Sequence, residues 1–107
     1  MGLFNKKKQQ NNIFDIAHEK YSKKQKITYE EYVIILATND EISFVFNDTE
    51  YQVVHINPEV TEMCISKIDE NKLIFERSEK YSSIIDMLNN FRIDGKRIID
   101  IWDNVSF

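Results

Sequence analysis

The chain has 107 residues, which corresponds to one domain, and 42% of them are hydrophobic, enough to form a core. Its one cysteine excludes an internal disulfide and fits a reducing compartment. No apolar stretch approaches the roughly 18 residues of a membrane span, and the start lacks the apolar region of a signal peptide. We therefore predict a cytoplasmic protein.

The net charge of −4 is unevenly distributed along the chain. Residues 1–26 hold seven lysines and two carboxylates, a net charge of +5, whereas residues 27–107 hold seven basic and sixteen acidic residues, a net charge of −9. This asymmetry is typical of a basic arm joined to an acidic domain. Because a run of lysines is more often a solvated tail than a binding site, both interpretations of the arm stay open.

Residues 1–12 are predicted to form a disordered basic arm, because they are polar and rich in lysine, asparagine and glutamine. Lys6, Lys7 and Lys8 are candidate contacts to nucleic-acid phosphates or to an anionic membrane surface. Residues 13–107 are predicted to form a single α+β domain.

Two helices are predicted to open the domain. Over residues 13–25, apolar side chains share one side and lysines the other, which is typical of a basic amphipathic helix. Such a helix either docks on the domain or is offered to an acidic partner or a membrane. Thr28 and Glu31 have the spacing of a capping box, and apolar residues from Tyr29 to Ala37 recur at helical spacing. The β-branched content of this run would also suit a strand, but the spacing favours a short buried helix.

A first hairpin is predicted to follow, because large apolar residues alternate from Ile42 to Phe46 and again from Tyr51. If Asp48 and Thr49 form the turn, Phe46 lies opposite Tyr51. One face then carries six alternating residues: Ile42, Phe44, Phe46, Tyr51, Val53 and His55.

Pro58 ends this hairpin, because proline cannot donate to a strand ladder. Residues 60–68 and 72–77 are predicted to form a second hairpin. The sequence leaves two arrangements of its buried face open: Ile65 with Ile74, or Ile68 with Leu73 and Phe75.

Residues 82–107 are predicted to close the core with two short amphipathic helices on either side of Gly95. Ser83 and Asp86 fit a capping box. Gly95 interrupts the helical pattern and is expected to take a positive φ. The two apolar stripes are Ile84, Met87, Leu88 and Phe91, then Ile98, Ile101, Trp102 and Val105. The predicted fold is therefore α+β, an antiparallel meander of about four strands packed against N-terminal and C-terminal helices.

Over two stretches, ITYEEYVIILATNDEISFVFNDTEYQVVHI and SSIIDMLNNFRIDGKRIIDIWDNVSF, the chain resembles small uncharacterised domains of Gram-positive bacteria and their mobile elements. The resemblance covers roughly residues 27–107 apart from the second hairpin, and its most specific part is Ile93-Asp94-Gly95-Lys96 leading to Ile101-Trp102-Asp103. One departure is Asn47-Asp48, where Asn-Gly is expected. The resemblance implies this fold and a bacterial or phage setting, without an activity or a catalytic residue.

No catalytic constellation is visible in the sequence. Cys64 is interpreted as a buried structural thiol in an apolar strand, and His55 as a packed or edge histidine. The two histidines and the cysteine do not match zinc-ligand spacing, and the glycines do not form a phosphate-binding loop. We therefore predict no enzymatic activity, no cofactor and no metal site.

Asp100 and Asp103 are the candidate partner-binding residues of the domain, because they lie three positions apart on one predicted helix face. The alternative for this pair is a solvated acidic face. The acidic domain favours a small non-catalytic protein-binding module with a basic protein partner, for instance an immunity protein or a phage-encoded inhibitor. The other hypothesis is a nucleic-acid or membrane accessory protein that acts through its basic N-terminal arm.

Overall fold

The computed structural model describes residues 13–38 and 41–107. In chain order its elements are α1 (Ile13–Ser22), α2 (Tyr29–Ala37), β1 (Ile42–Phe46), β2 (Thr49–Asn57), β3 (Val60–Asp69), β4 (Lys72–Tyr81), α3 (Ile84–Asn90), α4 (Ile98–Ile101) and a 3₁₀ turn (Trp102–Asn104). The strands form one antiparallel sheet in the order β1-β2-β3-β4. This confirms the predicted α+β meander. The arm predicted over residues 1–12 lies outside the described residues.

Helix α2 begins at the predicted capping box. The Thr28 hydroxyl accepts a hydrogen bond from the Glu31 backbone N–H at 3.1 Å, and the Glu31 carboxylate accepts one from the Thr28 backbone N–H at 2.8 Å. Two backbone donors that a helix start leaves without a partner are thereby satisfied. The cap and the burial of Tyr32, Ile35 and Leu36 fix this run as a helix despite its β-branched residues.

Helix α1 docks on the domain, which decides between the two interpretations of residues 13–25. It ends at Ser22, three residues earlier than predicted. Its Ala17 is fully buried and Tyr21 packs against the core. The Lys20 ammonium lies 3.1 Å from the carboxylate of Glu31, which is only 5% exposed. One lysine of the predicted basic face therefore holds the helix in place, while Ile13 and its neighbours stay exposed.

The turn of the first hairpin differs from the prediction. Its two central residues are Asn47 and Asp48, with φ of 51° and 57°, rather than Asp48 and Thr49. Phe44, not Phe46, therefore pairs with Tyr51. Two successive positive φ values match the twist of a tight hairpin, and asparagine and aspartate tolerate them better than threonine. Because the register moves by two residues, the alternation is preserved and the predicted set still shares one face.

The second hairpin corrects both predicted arrangements of its buried face. Ile65 is buried, but Ile74 is 50% exposed, and Leu73 and Phe75 are 56% and 63% exposed. A β-bulge shifts the register from Ile65↔Arg77 to Ser66↔Phe75. Strand β4 lies at the edge of the sheet and continues to Tyr81, beyond the predicted end. The apolar residues near its start therefore have no element packed over them among those described.

The closing segment is built as predicted around Gly95, which has a φ of 80°. Asp94 also takes a positive φ, and the Ile93 and Lys96 backbones exchange hydrogen bonds of 2.8 and 2.9 Å across this turn. Trp102 lies at the centre of the core, and its indole N–H donates to the Ile27 carbonyl at 2.8 Å. The buried apolar residues are Ala17, Ile27, Tyr32, Ile35, Leu36, Ile42, Phe44, Tyr51, Val53, Met63, Ile65, Met87, Phe91, Ile93, Ile98, Ile101, Trp102 and Val105.

The C-terminal residues cover the free side of β1. The backbones of Val45 and Ser106 exchange hydrogen bonds of 2.8 and 2.9 Å. On the same strand, the Ser43 backbone N–H donates to the hydroxyl of Tyr21 in α1 at 3.0 Å. The Lys26 ammonium ties the C-terminal segment to the linker before α2, because it donates to the Trp102 and Val105 carbonyls at 2.6 and 2.9 Å.

Candidate functional site

An apolar groove opens between α2, α3 and the turn that joins β2 to β3. Its volume is about 470 Å³. We call it the α2–α3 groove. It is lined by Val33, Ala37, His55, Asn57, Pro58, Thr61, Ser83, Ile84, Ile85 and Leu88.

The groove exists because two amphipathic helices bury only part of their apolar surface. In α3, Met87 is fully buried, whereas Ile84 and Leu88 of the same stripe are only half-buried and face the groove. Ile85 lies outside the stripe and is 70% exposed. A single isoleucine on a surface needs no explanation, but one beside an apolar groove enlarges a contiguous apolar patch.

His55 contributes an unsatisfied polar atom to the groove. Its side chain is half-buried on the core side of β2, as the sequence predicted for a packed or edge histidine. Its Nε2 atom is buried and has no hydrogen-bond partner among the described residues. A buried ring nitrogen without a partner costs free energy. Because Nε2 is buried, a group bound in the groove reaches it only if the imidazole ring shifts.

The groove carries no lysine or arginine among the described residues that line it. Three carboxylates adjoin it in sequence: Glu30 precedes Val33 by three positions in α2, Glu59 follows Pro58, and Asp86 follows Ile85. The Ser82 backbone N–H and the Asn90 amide hydrogen-bond the Asp86 carboxylate and lower its pKa. The groove is therefore apolar inside, and acidic residues are close to its lining residues in the sequence.

The predicted partner-binding residues Asp100 and Asp103 lie elsewhere, on the closing segment. Both are exposed. The Asp100 carboxylate accepts a hydrogen bond from the Arg97 backbone N–H at 3.0 Å and lies 3.6 Å from the Arg97 guanidinium. Asp103 and Lys26 line a shallow hollow. Burial lowers the pKa of Lys26, and the nearby Asp103 carboxylate only partly offsets this effect. Asp100 therefore caps α4, and the structure does not bring this pair to the groove.

The other residues singled out from the sequence are the three arm lysines and Cys64. Lys6, Lys7 and Lys8 lie outside the described residues. Cys64 was expected to be buried in an apolar setting, but it is only half-buried and lies on the sheet face opposite the core. Its Sγ atom is 3.8 Å from a carboxylate oxygen of Glu62. Burial and Glu62 both raise the pKa of this thiol, so it stays protonated near neutral pH.

Within residues 13–38 and 41–107, no group of three or more metal-ligating side chains comes together. No helix in the same part of the chain is long and apolar enough to cross a membrane. The groove itself holds one histidine and no carboxylate among its lining residues. Its lining is mostly apolar, and the polar side chains in it are those of His55, Asn57, Thr61 and Ser83.

Sequence reasoning missed the groove as a site. Ile84 and Leu88 were assigned to the core, and Val33 and Ala37 to a buried helix. One sequence signal was present: Ile85 adds an apolar residue next to a stripe that is already complete. The rest of the groove needs the β2–β3 turn to be brought beside both helices, which only the fold determines.

Residues 13–38 and 41–107 thus form a small α+β domain whose described part leaves an apolar groove open. No protein-family model, curated protein or solved structure matches the chain. A proposal about function therefore rests on the groove and not on similarity to a known protein.

Proposed function

We propose that the protein is a small non-catalytic protein-binding module, and that the α2–α3 groove receives an apolar side chain of a basic protein partner. The observation that carries this proposal is the groove itself, which is apolar and open among the described residues, with Glu30, Glu59 and Asp86 close to its lining residues in the sequence. Apolar anchors that fill pockets supply most of the energy in protein interfaces. Rim charges mainly steer the encounter and select the sign of the partner.

The charge of residues 27–107 agrees with a basic partner. Residues 27–107 carry a net charge of −9. Complementary potentials accelerate association, and like charges disfavour wrong partners. Small acidic proteins that neutralise a basic enzyme are one form of such a module, and we place the chain there, as an immunity protein or a phage-encoded inhibitor. A toxin gene beside the gene of this protein would support the immunity form.

The groove is tested by comparing two exposed isoleucines. Ile85→Glu places a charge at the groove, whereas the control Ile99→Glu places the same charge on α4, where Ile99 is 47% exposed. The probe is a synthetic amphipathic helix with lysines on its polar face, and binding is followed by backbone amide shifts. We expect the shifts to map to the groove, to weaken with salt, and to disappear in Ile85→Glu alone.

Two further variants separate rival surfaces. Asp103→Lys reverses a charge of the predicted pair without touching the cap that Asp100 provides. Removal of residues 1–12 tests the arm. If either change abolishes binding while Ile85→Glu leaves it intact, the groove is not the binding surface.

A second candidate function is supported by the start of α1. Ile13, Phe14 and Ile16 are 47%, 43% and 42% exposed, and Lys6, Lys7 and Lys8 precede them in the sequence. Apolar residues next to a basic segment are typical of a peripheral membrane anchor. Co-sedimentation with phosphatidylserine vesicles, but not phosphatidylcholine vesicles, would support this function. Phe14→Ser should weaken it, and binding of nucleic acid instead would assign the arm to phosphate contacts.

A further inference from the structure

A second exposed apolar surface lies at the β4 edge of the sheet, apart from the groove. Strand β4 is the last strand of the sheet, and its residues 72–78 are all exposed. Three of them in succession are apolar: Leu73, Ile74 and Phe75, with 56%, 50% and 63% of their surface exposed. Native edge strands are normally protected by charges, prolines or covering segments, because a free ladder can pair with another strand.

The turn before β4 determines which backbone groups are free. Glu70 and Asn71 form a two-residue turn with φ of 48° and 65°, and Asp69 pairs with Lys72 directly beside it. The residues that flank such a turn make the first hydrogen-bonded pair, and the two kinds of pair then alternate along the ladder. Leu73 and Phe75 are therefore in non-hydrogen-bonded pairs, and their backbone N–H and C=O groups point away from β3.

We propose that β4 pairs with β4 of a second copy of this chain, antiparallel, across a twofold axis at Ile74. This register places Leu73 of one copy opposite Phe75 of the other, so their outward backbone groups meet each other. It also places Lys72 opposite Glu76 of the second copy at both ends of the contact. Opposite charges in facing positions favour pairing, and a twofold axis uses the same surface twice.

Neighbouring registers are less favourable. A twofold axis at Leu73 places Phe75 opposite Asn71 of the turn, and an axis at Phe75 places Leu73 opposite Arg77. Only the axis at Ile74 pairs apolar with apolar and lysine with glutamate. The β-bulge at Glu76, which has no partner in β3, ends the regular β3–β4 ladder directly after Phe75. The contact is therefore short, below the roughly 1,200 Å² of a standard interface, and we expect a reversible monomer–dimer equilibrium.

Site-specific disulfide formation tests the register. The background is Cys64→Ser in the full chain, which removes the one native thiol. In Ile74→Cys, two symmetry-related cysteines lie in a non-hydrogen-bonded pair about 4.5 Å apart, within the distance range of a disulfide. In the control Lys72→Cys, the two cysteines are offset by four residues, about 13 Å along the strands.

Under oxidised glutathione, Ile74→Cys should form a covalent dimer at least tenfold faster than Lys72→Cys. Sedimentation velocity of the wild-type chain should show a concentration-dependent dimer that Phe75→Lys abolishes. The proposal is overturned if the chain stays monomeric at every concentration, if Phe75→Lys leaves the dimer intact, or if both cysteines cross-link at equal rates.

Discussion

The two edges of the sheet are treated in opposite ways. At the β1 edge, Ser106 adds two backbone hydrogen bonds to Val45, and the Tyr21 hydroxyl satisfies the Ser43 N–H. At the β4 edge, residues 72–78 are exposed and no described element covers them. The first edge is closed by both ends of the domain, so it cannot accept another strand. The second can, and this difference locates any pairing of copies on one side of the molecule.

The closed β1 edge depends most on Trp102, because this residue anchors the C-terminal segment that covers the edge. Its ring lies 4.6 Å from the Tyr32 ring and 5.5 Å from the Phe44 ring, between centroids. Trp102→Ala should lower the free energy of unfolding by about 3–5 kcal/mol, because it leaves a large cavity. Urea unfolding measures this, with Ile99→Ala as an exposed neighbour for comparison. A loss below about 1 kcal/mol would show that the closed edge does not depend on this anchor.

Gly95 directs the chain back to the closed edge. Gly95→Val should cost about 1–3 kcal/mol, because a β-branched residue disfavours the positive φ of 80°. A Cβ atom at this position would have no neighbouring atom within 4 Å, so we expect the cost to come from the backbone conformation. Gly95→Asn is the matched control and should cost less, since asparagine tolerates this region. Equal melting temperatures for Val and wild type would contradict the assignment.

Tyr21 tests the hydrogen bond that α1 supplies to β1. Tyr21→Phe keeps the ring, which packs 6.1 Å from Phe107 between centroids, but removes the acceptor of the Ser43 N–H. The expected loss is about 1 kcal/mol, together with faster amide exchange at Ser43. Exchange at Ser43 as slow as in the wild type would mean that this hydroxyl does not close the edge.

Glu31 makes the docking of α1 dependent on pH. Burial raises the pKa of its carboxyl, but hydrogen bonds from Thr28 and Lys20 outweigh burial and hold it below the ordinary 4.5. A lowered folded-state pKa contributes stability that is present above the unfolded pKa and lost as pH falls through the folded value. Melting temperature should therefore decline below about pH 4.5, and less steeply in Glu31→Gln. Identical slopes in the two proteins would contradict this role.

The smallest effect is expected at the open edge. Leu73→Thr should change the stability of the monomer by less than about 0.5 kcal/mol, because Leu73 is 56% exposed. The matched variant Ile65→Thr, on the adjacent strand at 3% exposure, should cost well over 1 kcal/mol. Both are measured at concentrations where the chain is monomeric. Similar losses would mean that the two positions are not differently buried.

Several elements whose signals are local were determined by the sequence alone. The capping box of Thr28 and Glu31, the positive φ of Gly95 and the alternation of β1 and β2 each depend on residues within a few positions of one another. The turn at Asn47 was misplaced by one residue, because both candidate pairs contain a residue suited to turns. The prediction of which residues share a face of β1 and β2 was still correct, because the register changed by two residues and alternation has a period of two.

Only the tertiary structure decided which apolar residues are buried. The sequence predicted that either Ile74 or Leu73 and Phe75 would be buried, yet all three are exposed on the edge strand. Val33, His55 and Ile85 are distant in sequence and meet in one groove. Asp100 reads as a free carboxylate, but it caps α4 through Arg97. Burial depends on how elements far apart in the chain pack together, and periodicity within one element carries no information about its neighbours.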